Sequence, residues 1–192
     1  MDAAVPSTVT RVLVLCSDGC EEIETVALVV VLRRAQLEVV LASPSGSSVT
    51  GSRGIVLQSE RRFAELSARD FAALALPGGL KNARTLAVDP EAQRLIREAR
   101  ALDRIVAAIC AAPLALKAAD AICGARLTSH PSVRDEFADE RYSDDRVVVD
   151  GRLLTSRGPG TAIEFALALV VELCGPERAA AVGAALVLPA TA

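Results

Sequence analysis

The chain has 192 residues, 52% hydrophobic and 23% charged, with a formal net charge of −3. That balance excludes general disorder and supplies one α/β domain with a sizeable core. Four phenylalanines, one tyrosine and no tryptophan on an acidic chain offer neither a basic track nor a stacking platform for nucleic acid, and no apolar run reaches membrane-spanning length.

The N-terminus, Met1 to Thr8, carries an acid, lacks a basic cluster and has no apolar centre, so no secretory signal is expected and the cytoplasm is the expected location. Residues 1–10 are expected to be flexible, 11–188 to form a single domain and 189–192 to be a tail. Arg11 to Ser17 is a short apolar run bounded by turn residues, the pattern of a buried parallel strand. Glu22 to Ala35 is rich in valine, yet its length, its acidic start and its basic end favour a helix. Glu38 to Ser43 is a second strand, and Val49 to Gln58, with Gly51 and Gly54 inside it, is a hairpin or an irregular excursion. Ala72 to Leu76 is the third main strand and runs into Pro77-Gly78-Gly79, where glycines let the backbone approach a ligand closely. Asp89-Pro90-Glu91 signals the start of a helix reaching about Leu102, with Asp as N-cap and Pro in the first turn.

A strand at Ile105 to Ile109 then meets a helix-like run, Ala111 to Lys117, with Cys110 at the junction. A sharp strand-to-helix turn that exposes a nucleophile requires very small side chains two residues before and after it, and here these are Ala108 and Ala112. Ala125 to Thr128 is a short strand candidate leading to Ser129-His130-Pro131. Val147 to Ser156 reads as a hairpin turned at Asp150-Gly151. Thr161 and Glu164 form a capping-box pattern ahead of a helix at Phe165 to Leu173, stopped by Gly175-Pro176. Glu177 to Leu188 reads as a further short helix with an apolar tail. Strands alternating with helices predict a mostly parallel sheet covered on both faces, whose site lies beyond the carboxyl ends of the strands, where Gly78-Gly79 and Cys110 fall.

Five cysteines (16, 20, 110, 123 and 174) with no C-x-x-C pair, and a single histidine, make neither a disulfide framework nor an ordinary zinc site, so no metal is expected. Cys16 and Cys123 read as packing residues, whereas Cys20, in a polar turn, is a candidate for exposure. Cys110 is either another small buried residue or a nucleophile activated by free N–H groups after the turn.

The stretches Gly19-Cys20-Glu21-Glu22-Ile23-Glu24-Thr25, Leu76-Pro77-Gly78-Gly79, Ala107-Ala108-Ile109-Cys110-Ala111-Ala112-Pro113, Ser129-His130-Pro131 and Leu154-Thr155-Ser156-Arg157-Gly158-Pro159-Gly160-Thr161 resemble, in order and spacing, the DJ-1/PfpI superfamily in its parkinsonism-associated deglycase branch. The resemblance runs from about Arg11 to Leu188. It implies a flavodoxin-like three-layer α/β sandwich, a homodimer, and a helix for the valine-rich segment. It also implies that Cys110 is the reactive cysteine and Glu24 the acid bonded to its sulfur, a choice among Glu21, Glu22 and Glu24 that spacing alone leaves open. By the same resemblance Gly79 and Ala111 supply backbone oxyanion donors, and His130 has a supporting role. Gly78, Pro159 and Arg53, with Arg34 and Arg157, match the pocket mouth or the dimer contact.

Peptidase-like members of the superfamily carry histidine directly after the cysteine. Here that position is Ala111, so a cysteine–histidine protease is not expected, nor is an amidotransferase, for which no partner domain is evident. The resemblance implies a cofactor-independent enzyme acting on methylglyoxal, glyoxal or glycated protein side chains, without glutathione. A non-catalytic redox sensor or chaperone, working through oxidation of Cys110, is the alternative. A phosphate-binding flavodoxin-like module is disfavoured by the acidic turn Ser17 to Glu22.

Overall fold

Runs of buried aliphatic residues become the strands of one sheet, and the longer amphipathic runs become the helices that cover it. A computed structural model describes residues 9–189. Most of the expected flexible N-terminus and tail, residues 1–8 and 190–192, lies outside the described residues. In chain order, β1 (Arg11–Leu15) is followed by α1 (Glu22–Arg34), β2 (Glu38–Ser43), β3 (Ser48–Thr50), β4 (Val56–Gln58), β5 (Arg61–Arg62) and β6 (Ala73–Leu76). Next come α2 (Leu80–Val88), α3 (Pro90–Ala101), β7 (Ile105–Ile109) and α4 (Pro113–Ala118), then β8 (Val147–Asp150), β9 (Leu153–Ser156), α5 (Ala162–Cys174) and α6 (Pro176–Ala185).

Seven strands form a sheet in the order β5-β2-β1-β6-β7-β9-β8, parallel throughout except for the β8–β9 pair; β3 and β4 form a separate antiparallel hairpin. Residue alternation divides the core in two. Leu13, Leu15, Leu74 and Leu76 pack with α2, α3 and α4 on one face, whereas Val12, Val14, Ala73 and Ala75 pack with α1, α5 and α6 on the other. The protein is therefore the three-layer α/β sandwich expected from the sequence. Each fully buried leucine or valine contributes roughly 1.5–3 kcal/mol, so a strand such as β7, buried along its whole length, is a rigid mount.

The register places the site. Leu76 lies opposite Ala108, and Ile109 opposite Ser156. The segments leaving β6, β7 and β9 thus emerge side by side at one sheet edge. The chain also reverses direction across the sheet between β1 and β6, and the crevice at such a switch point is where open α/β sheets bind ligands.

Some elements differ from expectation. Ala125 to Thr128 does not form a strand; it contributes one bridge, Leu127 to Tyr142. α2 has no counterpart in the sequence reading because it begins directly after Gly79 with no side-chain cap to announce it. Thr161 does not cap α5: its hydroxyl bonds the Gly158 carbonyl and Ser156 Oγ instead, and Glu164 pairs with Arg146 at 2.7 Å. Cys20 is buried rather than exposed, because the turn around it folds beneath the β3–β4 hairpin. Ser52 donates its N–H to the Cys20 carbonyl at 2.8 Å. Cys123 is exposed rather than packed, at a positive-φ turn beside Gly124. Among the described residues no helix is long and apolar enough to cross a membrane.

Candidate active site

Cys110 closes β7 with φ +65°, a left-handed conformation that costs a non-glycine residue about 1–3 kcal/mol. Hydrogen bonds on both sides hold it there. Its N–H donates to the Ser156 carbonyl at 2.9 Å, and its carbonyl accepts from the His130 N–H at 2.9 Å. The strain turns the thiol outward from the sheet, where it is half-buried while Ala108 and Ala112 are fully buried beneath it.

Glycine is required at both positions after Pro77. A Cβ on Gly78 would sit 2.5 Å from Cys110 Cβ and 2.7 Å from Glu24 Oε2, so Gly78 is the gap through which acid and thiol meet. A Cβ on Gly79 would fall 2.1 Å from the Gly19 carbonyl, and Gly79 holds φ +88°.

The three acids of the Glu21-Glu22-Ile23-Glu24 run occupy three different places. Glu21 caps α1, accepting the Glu24 N–H at 2.8 Å. Glu22 turns to the β3–β4 hairpin, accepting from the N–H of Arg53 at 2.6 Å, the hydroxyl of Ser52 at 3.0 Å and the N–H of Ile55 at 3.4 Å. Burial pulls the Glu22 carboxyl upward, but these donors outweigh it and hold it below the usual carboxylate range. Glu24 is fully buried. Its Oε2 accepts the Gly78 N–H at 2.6 Å, and its Oε1 has no partner of conventional geometry.

Burial pushes the Glu24 carboxyl up to about 8, with the charge on Glu21 adding to the effect and the Gly78 N–H and the Cys110 thiol opposing it. Burial also pushes the Cys110 thiol up, to about 12 when an ionised Glu24 stands beside it, while the N–H groups of Gly79 and Ala111 favour the thiolate. At neutral pH Glu24 keeps its proton, which removes the repelling charge and turns the carboxyl into a donor toward sulfur. The thiol in that state titrates below the value reached beside the carboxylate, and acid and thiol share their protons as a pair.

The thiol opens into a cleft of about 600 Å³ whose lining includes Cys110, Gly79, His130, Pro159 and Arg53. Gly78 lies behind the thiol rather than in the wall. His130 accepts the Ser132 N–H at Nδ1 (3.2 Å), so its neutral ring carries the proton on Nε2. Arg34, exposed in the last turn of α1, and Arg157, bonded to the carbonyl of Asp144 at 2.7 Å, lie outside the cleft. Asp18, Ser52 and Lys81 line it without having been singled out in the sequence. Only the location of Lys81, two residues beyond Gly79, hinted at it. Among the described residues no group of three or more His, Cys, Asp or Glu side chains is gathered at one point.

Comparison with known proteins bears on the family and the fold. The model of the DJ-1/PfpI family matches residues 10–172. The chain is 38% identical over 183 residues to the zebrafish (Danio rerio) protein named Parkinson disease protein 7 homolog, covering 93% of this chain and 97% of that one. It is 33% identical over 171 residues to a Caenorhabditis elegans protein named glutathione-independent glyoxalase DJR-1.2, covering 88% and 91%. The crystal structure of Drosophila melanogaster DJ-1beta superposes with a TM-score of 0.90 at 35% identity, covering 95% of this chain and all of that one.

Proposed function

The chain belongs to the DJ-1/PfpI family, and from that premise we propose that it is a glutathione-independent glyoxalase and deglycase, acting on methylglyoxal, glyoxal and their early adducts with protein side chains. The observation that carries this reading is the pairing of a strained, half-buried thiol, which opens into the cleft, with a fully buried carboxyl behind it that holds its proton at neutral pH. A thiolate that must attack an aldehyde and then have a proton carried between neighbouring carbons needs a carboxyl group in that state and place. The relative named a glyoxalase points the same way.

In this mechanism the Cys110 sulfur forms a bond to the aldehyde carbon of methylglyoxal, and the carbonyl π-electrons move to oxygen. The N–H groups of Gly79 and Ala111 stabilise the developing charge, a device commonly worth a few kcal/mol per donor. Glu24 gives its proton to that oxygen, producing a hemithioacetal. As carboxylate it removes the hydrogen from the former aldehyde carbon as a proton, forming an enediolate, and returns that proton to the neighbouring carbon while the hydroxyl proton passes from the first oxygen to the second, which leaves a thioester of lactate on Cys110. Water cleaves the thioester, releasing lactate and restoring the thiol. His130, which lines the cleft, steadies the substrate oxygen in a supporting role. No glutathione, metal or other cofactor enters these steps.

The experiment is an NMR assay for lactate with purified protein and methylglyoxal in glutathione-free buffer. The expected result is lactate in many-fold molar excess over protein. A reaction that stops at one equivalent per chain contradicts turnover and favours the redox-sensor reading, in which Cys110 is a site of oxidation only.

We further propose that the chain forms a homodimer through α1 and the hairpin. Ile23, Val26 and Val30 form an exposed apolar stripe on α1, and Ile55 and Val56 are exposed on the neighbouring hairpin that Glu22 ties to the helix. Val26→Glu, paired with Ile23→Glu, is expected to shift the mass measured by light scattering from two chains to one. A wild-type protein that runs as a monomer would contradict the proposal.

A further inference from the structure

A fully buried asparagine, Asn82 in the first turn of α2, uses all of its hydrogen-bonding capacity on the two loops that build the site. Its Oδ1 accepts the Ser17 N–H at 2.7 Å and the Ser17 hydroxyl at 2.8 Å. Its Nδ2 donates to the Pro77 carbonyl at 2.8 Å and to the Gly78 carbonyl at 3.2 Å. The amide orientation follows from these partners, since Ser17 N–H needs an acceptor and the two carbonyls need donors.

The two carbonyls are the significant part. A trans peptide is a rigid plane with C=O and N–H pointing in opposite directions, and no peptide among the described residues is cis. Fixing the Pro77 carbonyl therefore fixes the direction of the Gly78 N–H, which donates to Glu24 Oε2 at 2.6 Å. Fixing the Gly78 carbonyl, which also accepts the Glu21 N–H at 3.1 Å, fixes the direction of the Gly79 N–H, which faces the Cys110 sulfur. Glycines have no side chain of their own to hold these planes, so the constraint has to come from outside them.

We propose that Asn82 is a positioning residue for the thiol–acid pair: by gripping the Pro77 and Gly78 carbonyls it aims the N–H groups of Gly78 at Glu24 and of Gly79 at Cys110. This deepens the reading of the site given above and rests on Cys110 being its nucleophile, though not on any particular substrate. Its test requires no turnover.

The rate of Cys110 alkylation by iodoacetamide is measured by peptide mass spectrometry as a function of pH in wild type, Asn82→Leu and Ser17→Ala, with circular dichroism confirming the fold of each. Asn82→Leu removes both carbonyl contacts at nearly constant volume. Its alkylation midpoint is expected to rise by about one pH unit, so that reaction at neutral pH slows about tenfold. Ser17→Ala removes a hydroxyl contact to the same amide but leaves both carbonyls held, and is expected to keep the wild-type midpoint. If Asn82→Leu does not fold, Asn82→Ser, too short to reach the carbonyls, replaces it with the same expected rise. A folded Asn82 variant with the wild-type midpoint would overturn the proposal, as would an equal rise in Ser17→Ala, which would make the effect one of general loosening. Because alkylation reports on the thiol alone, the midpoints decide the role of Asn82 even in a protein that converts no dicarbonyl.

Discussion

Glu24→Gln is expected to lower methylglyoxal turnover by about 10²–10⁴-fold, the usual range for removing a positioned proton carrier, while Cys110 stays open to alkylation. Glutamine keeps the shape of the side chain, its carbonyl oxygen can still accept the Gly78 N–H, and its amide can still donate toward sulfur. What it cannot do is release a proton to the substrate oxygen or collect one from carbon. A Gln variant with near-wild-type turnover would reduce Glu24 to a structural acid and rule out the proton transfers assigned to it. The same substitution has a separate signature in stability. The Glu24 carboxyl titrates near 4.5 in an unfolded chain and at about 8 in the folded one. Between those values the folded state holds a proton that the unfolded state has released, so the contribution of this group to stability falls as pH rises through that window. Glu24→Gln has no such proton, and its urea midpoint is expected to lose less between mildly acidic and mildly alkaline pH than that of the wild type.

The fold was legible where side chains announced it locally. The buried runs at β1, β6 and β7, the Asp-Pro-Glu start of α3 and the Asp150-Gly151 turn all carry their signals within a few residues. α2 carried none, since a glycine N-cap provides no side chain to read. The elbow at Cys110 was visible in the small residues Ala108 and Ala112, but the left-handed backbone that completes it is imposed by Ser156 and His130, distant in sequence. The same distance hid how the acids divide. Glu21, Glu22 and Glu24 look interchangeable in sequence, and only contacts with residues about thirty positions away for Glu22 and 54 away for Glu24 separate them. Asn82 is a similar case: its partner Ser17 lies 65 residues earlier. Cys20 departed from expectation for a related reason, because a turn's polarity does not tell whether another loop will cover it, and Cys123 because the apolar pair before it is buried while the positive-φ turn it begins is not.

In the proposed mechanism one sulfur performs the chemistry, and the measurement that tests this most directly is the glutathione-free lactate assay on wild-type and Cys110→Ala proteins side by side. Alanine tolerates the strained position no worse than cysteine does, so both hydrogen bonds that pin the turn are expected to remain and circular dichroism should match the wild type. Wild type is expected to produce lactate catalytically, and Cys110→Ala to fall by a factor on the order of 10⁴ or more, because no other thiol lines the cleft to take its place. Undiminished lactate production by the folded Cys110→Ala protein would contradict that role for the sulfur.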